Sequence, residues 1–401
     1  MIRKEQIANR PEDAGVDPER LEALFERAKR DVDEGSLSSV QVAVARQGKV
    51  AGMATFGAAT IAGREQPATN ETLYPLFSCT KGIVGVAMWA LLEDGSLHLD
   101  EKVADIIPEF GTNGKDVVTV EQLLLHTSGF PHAVVQPELW GDRAKLLEAF
   151  ADWRLNWEPG ARCEYHLMSA HFVLAEIIYR RTGMDHRAFI RQRLAEPMGL
   201  DELFVGAPPE VDSRVAEFKM TASAEANTTA DDRGVQITPA MLLELNRPEL
   251  RRVGLPGGGG IGGAAELAMF YQPLINGGAT ADGTRIFKQE TVDFATRPRT
   301  SNQHRDPMYG NAPVNRALGV IVAGDDGYSH MRGFGRTASP FAFGHPGAGG
   351  QIAWGDPETG ISVGYCIDGF TDWMAQGRRT TAISSIAGSC AMVTQESGRV
   401  R

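Results

Sequence analysis

Residues 82–92, Gly-Ile-Val-Gly-Val-Ala-Met-Trp-Ala-Leu-Leu, contain no polar side chain, and they follow Ser78-Cys79-Thr80-Lys81 directly. On a helix, Ile83, Val84, Val86, Ala87, Met88, Ala90, Leu91 and Leu92 cover every side, so the segment has to be enclosed all round by other elements. Lys81 then stands at the mouth of a buried helix. Three residues apart, Ser78 and Lys81 share a helix face with their Cβ atoms about 5–6 Å apart. Burial disfavours an ammonium and lowers its pKa, which leaves a neutral amine able to take the serine proton. The helix N-terminus also favours negative charge developing at the serine. The competing reading makes Ser78 an N-cap and lets Lys81 reach out to solvent. Among the nine lysines, only Lys81 has a serine three places before it.

Enclosing such a helix takes a large core, and 401 residues at 42% hydrophobic composition can supply one, as one large domain or two to three ordinary ones. Acidic residues outnumber basic ones by eleven (51 against 40), and the lysines are scattered. This argues against nucleic acid or an anionic membrane as partner. The first residues, MIRKEQIANRPEDAGVDPERL, hold no apolar signal-like run, and no apolar stretch is long enough to span a bilayer, so a cytoplasmic location is expected. Cys79, Cys163, Cys366 and Cys390 form no C-x-x-C pair, which suggests reduced thiols. His166 and His171 are five apart and there is no H-E-x-x-H, so no metal is expected. Gly257, Gly259 and Gly262 match G-x-G-x-x-G, but RRVGLP before them is not a strand, and no dinucleotide or other cofactor is expected. The absence of G-x-S-x-G disfavours an α/β-hydrolase triad.

Apolar spacing predicts a helix over ERLEALFERAKRDV and a hairpin over SSVQVAVARQGKVAGMATFG with its turn at Gln47-Gly48. Helical signals dominate from about 80 to 290, among them TVEQLLLHTSGF, closing at Ser128-Gly129, and SAHFVLAEIIYRRTG, closing at Gly183. Near the end, GQIAWGDPETGISVGYCIDG reads as a hairpin turning at Asp356–Gly360, and TTAISSIAGSCAMV as a small-residue helix. Strands at both ends imply one sheet built from the two termini, with a helical region inserted. Residues 1–79 and 290–401 are therefore assigned to an α/β sheet domain, 80–289 to a mostly helical domain, and the active site to the cleft between them.

A serine and a lysine need a proton relay and an oxyanion site. Tyr165, in a Pro-Gly loop just ahead of a helix, is the candidate relay; as an ordinary tyrosine it would be a partly buried ring with a satisfied hydroxyl. Gly344, Gly347, Gly349 and Gly350 flank His345, where missing side chains let a ligand approach the backbone. The alternative there is a tight bend with a surface histidine. Trp140, Trp153, Trp157, Phe334 and Trp354 are the aromatics available to line a pocket.

Taken together, these stretches resemble the serine β-lactamase and penicillin-binding-protein superfamily, in its class C-like branch, which includes family VIII carboxylesterases, D-alanyl-D-alanine peptidases and D-amino-acid amidases. The resemblance runs through Ser78-Cys79-Thr80-Lys81, LLEDGSLHLDEKV, TVEQLLLHTSGFP, the W-x-P-G loop before Tyr165, GGGGIGGAAELAMFYQPLINGG and His345-Pro346-Gly347. It implies a β-lactamase/transpeptidase-like α/β (α+β) fold, an antiparallel sheet flanked by helices with the helical insertion. It further implies that Ser78 attacks an acyl carbonyl, that Lys81 and Tyr165 shuttle protons, and that the N–H groups of Ser78 and Ala348 hold the oxyanion. His345 and Gly347 then stand at the substrate. The family also implies that the 257–262 glycines form a mobile loop near the cleft and that His126 is structural. One departure matters: the family's Y-x-N is Tyr165-His166-Leu167 here, and leucine cannot contact a substrate amide. Ser169 and His166 are the candidates to replace that asparagine. The loss points to a small-molecule ester as the acyl substrate. The rival readings are an amide hydrolase of the same family, an acyltransferase and a non-catalytic scaffold.

Overall fold

The computed structural model describes residues 2–133, 135–221, 239–300, 304–306 and 310–392. Helix α1 (Pro18–Asp33) opens on Asp17, whose carboxylate accepts the N–H groups of Glu19 and Arg20. The hairpin of β1 (Ser39–Arg46) and β2 (Lys49–Ile61) follows, with both turn residues left-handed, Gln47 at φ 55° and Gly48 at φ 70°. After β3 (Arg64–Pro67), β4 (Tyr74–Phe77) leads into the apolar helix α2 (Cys79–Glu93). Helix α3 (Ser169–Thr182) ends at Gly183 in the left-handed region. Then come β5 (Phe204–Val205), β6 (Gly260–Gly262), α4 (Ala264–Ile275), β7 (Ile321–Val322), β8 (Phe343–Gly344), β9 (Ile352–Gly355), β10 (Ser362–Ile367) and α5 (Trp373–Gly388).

Seven strands make one antiparallel sheet in the order β7-β8-β9-β10-β1-β2-β3, so the two ends of the chain meet at the β10–β1 pair. Strand β1 shows why the sheet has two covered faces. Val40, Val42 and Val44 join α1 and α5 in one core, while Ala43 and Ala45 face the other core with α2 and α4. Small residues are needed on that second face because α4 lies very close to it. A Cβ on Gly364 would come within 1.9 Å of the Ala264 carbonyl oxygen. Gln41 accepts the Ala264 N–H at 2.7 Å and so fixes the start of α4 on the sheet.

Helix α2 is enclosed as its sequence requires: every residue from Cys79 to Leu91 is buried. The structure departs from the sequence-based expectations in four places. Helix α4, inside the stretch assigned to the helical region, packs on the sheet, held there by Gln272 bonds to the Ala45 carbonyl and Ser362. Helix α5 starts at Trp373, capped by Asp372, rather than near Thr380; Val393, at the end of the sequence-based helix, lies outside the described residues. The helix in TVEQLLLHTSGF stops at Leu124, and His126 turns left-handed at φ 58°. The last part of the glycine run is strand β6, not a loop. It forms a small sheet, β4-β6-β5, whose two- to four-residue strands are too short to show a period-2 pattern. Among the described residues no helix is long and apolar enough to cross a membrane.

Candidate active site

Strand β4 delivers Phe77 in the left-handed region at φ 45°, a conformation that costs energy in any residue with a side chain. Thr80 clamps this turn: its hydroxyl donates to the Phe77 carbonyl at 2.6 Å and accepts the Gly260 N–H at 2.9 Å. Ser78 occupies the N-cap of α2, yet its side chain makes no capping bond. Lys81 is completely buried, which removes the reading in which it reaches out to solvent. Its Nζ donates to the Gly257 carbonyl at 2.6 Å and lies 3.4 Å from Ser78 Oγ. Burial, and after it the charge of Arg316, holds the Lys81 pKa well below the usual 10.5. The lowered pKa favours the neutral amine, whose lone pair can take the serine proton.

Tyr165 is brought to the same place. Lys81 Nζ is 4.9 Å from the centre of its ring, the Arg316 guanidinium 5.5 Å, and the His345 ring 6.0 Å. The His126 ring stacks on Tyr165 at 5.0 Å and 14°. The left-handed turn at His126 makes this possible, and Nδ1 of His126 accepts the His166 N–H at 2.9 Å, tying the tyrosine loop to the end of the 120–124 helix. Ser78 and Ala348 line one cavity of about 50 Å³, so the two backbone positions assigned to the oxyanion share a wall. The rest of that wall includes Phe77, Leu167, Met168, Leu242 and Leu255.

The family profile described as Beta-lactamase matches residues 23–387. The chain belongs to the beta-lactamase family. Among curated relatives of this family, the "Esterase/beta-lactamase LipL" of Mycobacterium tuberculosis (strain ATCC 25618 / H37Rv) is 29% identical over 315 residues, 74% of this chain and 69% of that protein. Two solved structures have the same fold. A penicillin-binding protein homologue from Caulobacter crescentus has 28% identity and a TM-score of 0.76, over 93% of this chain and 98% of that one. A family VIII carboxylesterase has 25% identity and a TM-score of 0.77, over 92% and 98%. The beta-lactamase family is one of serine hydrolases: esterases, peptidases and β-lactamases.

Within this beta-lactamase fold, neither candidate replaces the asparagine of Y-x-N. His166 Nδ1–H donates to the Glu164 carbonyl at 2.8 Å, while Nε2 accepts the Phe130 N–H at 3.2 Å and meets the Ser128 hydroxyl at 3.0 Å. Burial lowers its pKa to about 3, so it stays neutral. Ser169 donates to the Phe130 carbonyl at 3.2 Å. Both side chains hold the 126–130 turn, and Leu167 is the one that faces the cavity.

His345 and Gly347, expected at the substrate, are not among the residues that line this cavity. His345 is buried, with Nδ1–H donating to the Pro346 carbonyl at 2.8 Å and Nε2 left without a hydrogen-bond partner. Gly347 is glycine because of what lies beneath it: a Cβ there would be 2.5 Å from the Leu76 carbonyl oxygen and 3.3 Å from Cys79 Sγ. The close approach seats Ala348 against the nucleophile turn. Of the five candidate aromatics, only Trp140 lines the cavity. Trp153 packs on Phe130 and Phe150, Trp157 lies edge-on to His166, and Phe334 and Trp354 belong to the core on the far face of the sheet.

Sequence reasoning missed two contributors and the particular task of a third. The Gly257 carbonyl that receives Lys81 carries no side-chain signal. His126 is structural, as expected, and its structural task is to seat Tyr165. Arg316 is buried, with Asp306 at 3.7 Å, and its charge further lowers the pKa of His126, His166, His171 and His345, each lowered first by burial. A lone arginine in the apolar run VNRALGVIVAG was the available sign.

Proposed function

We propose that the chain hydrolyses carboxylic esters through an acyl-enzyme, with Ser78 as nucleophile and Lys81 as its base. The reading rests above all on Lys81: a fully buried amine whose pKa burial lowers, 3.4 Å from a serine hydroxyl that caps nothing. In this scheme Ser78 Oγ attacks the ester carbonyl and its proton passes to Lys81 Nζ. The N–H groups of Ser78 and Ala348 take the oxyanion charge. Tyr165 relays the proton to the leaving alkoxide, so that the free alcohol departs and the acyl group stays on Ser78. Water then attacks the acyl carbonyl and gives a proton to the same pair, which passes it to Ser78 Oγ as the acyl–oxygen bond breaks and the acid is released.

The preference for esters over amides rests on the cavity. Its side chains other than Ser78 are apolar, and Leu167, at the sequence position of the asparagine in the family's Y-x-N, lines it without a group that could bond an amide. A p-nitrophenyl acyl ester, a D-amino-acid p-nitroanilide and nitrocefin, compared by kcat/KM, test it. The ester is expected to lead by about 10², the size of the discrimination an apolar pocket shows against an added polar group. A lead for the amide or for nitrocefin would overturn the ester reading and restore its rivals.

The role of Tyr165 has its own check. Tyr165→Phe keeps the ring that stacks on His126 and removes only the hydroxyl, so folding is expected to hold while kcat for an ester falls by about 10²-fold or more. A phenylalanine variant with near-normal kcat would remove Tyr165 from the proton path.

A further inference from the structure

Two cavities meet at Trp140. The first is the chamber of about 50 Å³ beside Ser78, and the second, about 340 Å³, has the size of a small-molecule site. The run from 253 to 258 divides them as well: Val253 and Pro256 line the second, while Leu255, Gly257 and Gly258 line the first. The Trp140 ring is 3% exposed and is pinned by its indole N–H, which donates to the Val135 carbonyl at 3.0 Å. Trp140 and this run border both cavities.

The second chamber offers nothing ionic to a ligand. Its three arginines, Arg143, Arg187 and Arg252, match three carboxylates, Glu176, Asp185 and Glu249, in number. Arg143 binds Glu176 through two nitrogens at 2.7 and 2.5 Å, and Arg187 holds Asp185 at 2.7 Å. Arg252 and Glu249 are occupied by Asp212 at 2.6 Å and Arg247 at 2.9 Å. The rest of the lining is mostly apolar, with Leu146, Leu147, Phe150, Phe172, Ala175 and Val253 beside the Tyr179 ring and a His186 already bonded to the Gly254 carbonyl at 2.7 Å. Charges already paired cannot select an ion without losing a partner, whereas an apolar chain gains from this surface.

We propose that Trp140 sets the acyl-chain limit of the enzyme, and that the chamber behind it accepts the tail of a longer aliphatic acyl group when the ring is removed. The inference rests on the ester reading above. With the ring in place, the chamber beside Ser78 holds only a short acyl group.

The test measures kcat/KM of the full-length protein on p-nitrophenyl acetate, butyrate and octanoate. The variants are Trp140→Ala, and Trp140→Ala combined with Ala175→Trp. Trp140→Ala is expected to raise the octanoate-to-butyrate ratio at least about tenfold, because each added methylene now finds an apolar wall. Filling the second chamber with Ala175→Trp should return the ratio to near that of the wild type. An unchanged ratio in folded Trp140→Ala overturns the proposal. So does a gain that survives Ala175→Trp, since the tail would then lie elsewhere. Trp140→Leu, read in the same way, replaces the alanine variant should that one fail to fold. Failure of the ester reading looks different: the wild type would turn over neither acetate nor butyrate and would carry no acyl group on Ser78.

Discussion

Ser78→Ala is expected to bring ester turnover down by about 10⁴-fold or more, the order of loss when a nucleophile is removed, and to abolish labelling by a fluorophosphonate probe. The fold should survive the change. Ser78 makes no capping bond, and the turn that presents it is held by Thr80 and Gly260 rather than by its own hydroxyl. A melting temperature close to that of the wild type, with labelling lost, is the expected pair of results. Intact-mass analysis after a slow ester should likewise show an acyl adduct in the wild type only, with the modified peptide containing residue 78. Labelling that persists in the alanine variant would place the nucleophile elsewhere and remove the basis of the mechanism.

Lys81→Met should lower kcat by about 10² to 10⁴, the range for loss of a general base, while changing stability in a pH-dependent way. In the folded chain burial holds the amine pKa well below 10.5; in the unfolded chain it returns to the ordinary value. Between those two values the unfolded chain carries a proton that the folded chain does not, so wild-type stability rises with pH across that window. Methionine has no such proton. The stability of Lys81→Met relative to wild type should therefore be greater at pH 7 than at pH 10, whatever constant offset comes from losing the bond to the Gly257 carbonyl. Melting curves of both proteins at the two pH values decide the matter. A gap that is flat or widens with pH would mean that the buried lysine is charged, and a charged lysine cannot act as the base.

Much of the fold follows from local pattern. The all-apolar stretch after Lys81 forced an enclosed helix, and the Gln47-Gly48 and Asp356–Gly360 turns marked the hairpins whose strands pair in the centre of the sheet. The small sheet around Phe77 was not legible, because strands as short as Phe204–Val205 and Gly260–Gly262 show no alternation. Helix α4 falls inside the stretch 80–289 assigned to the helical domain, yet it lies against the sheet; its own residues are buried on nearly every side, and Gly364, on a distant strand, is what lets it lie there. His166 and Ser169 stood near Tyr165 in the sequence and looked available for substrate. Their partners Ser128 and Phe130 belong to a separate turn, and only folding shows that these side chains are already engaged.

The sequence by itself determined that Ser78 and Lys81 meet, because a spacing of three on a helix is fixed by the backbone and needs no other part of the chain. The tertiary structure decided that the meeting has chemical consequences. The Gly257 carbonyl on Lys81, His126 beneath Tyr165, Arg316 beside the ring and Ala348 on the cavity wall come from segments far apart in the chain. The pKa of an amine depends on how much water and charge surround it, and both are properties of the packed molecule rather than of neighbouring residues.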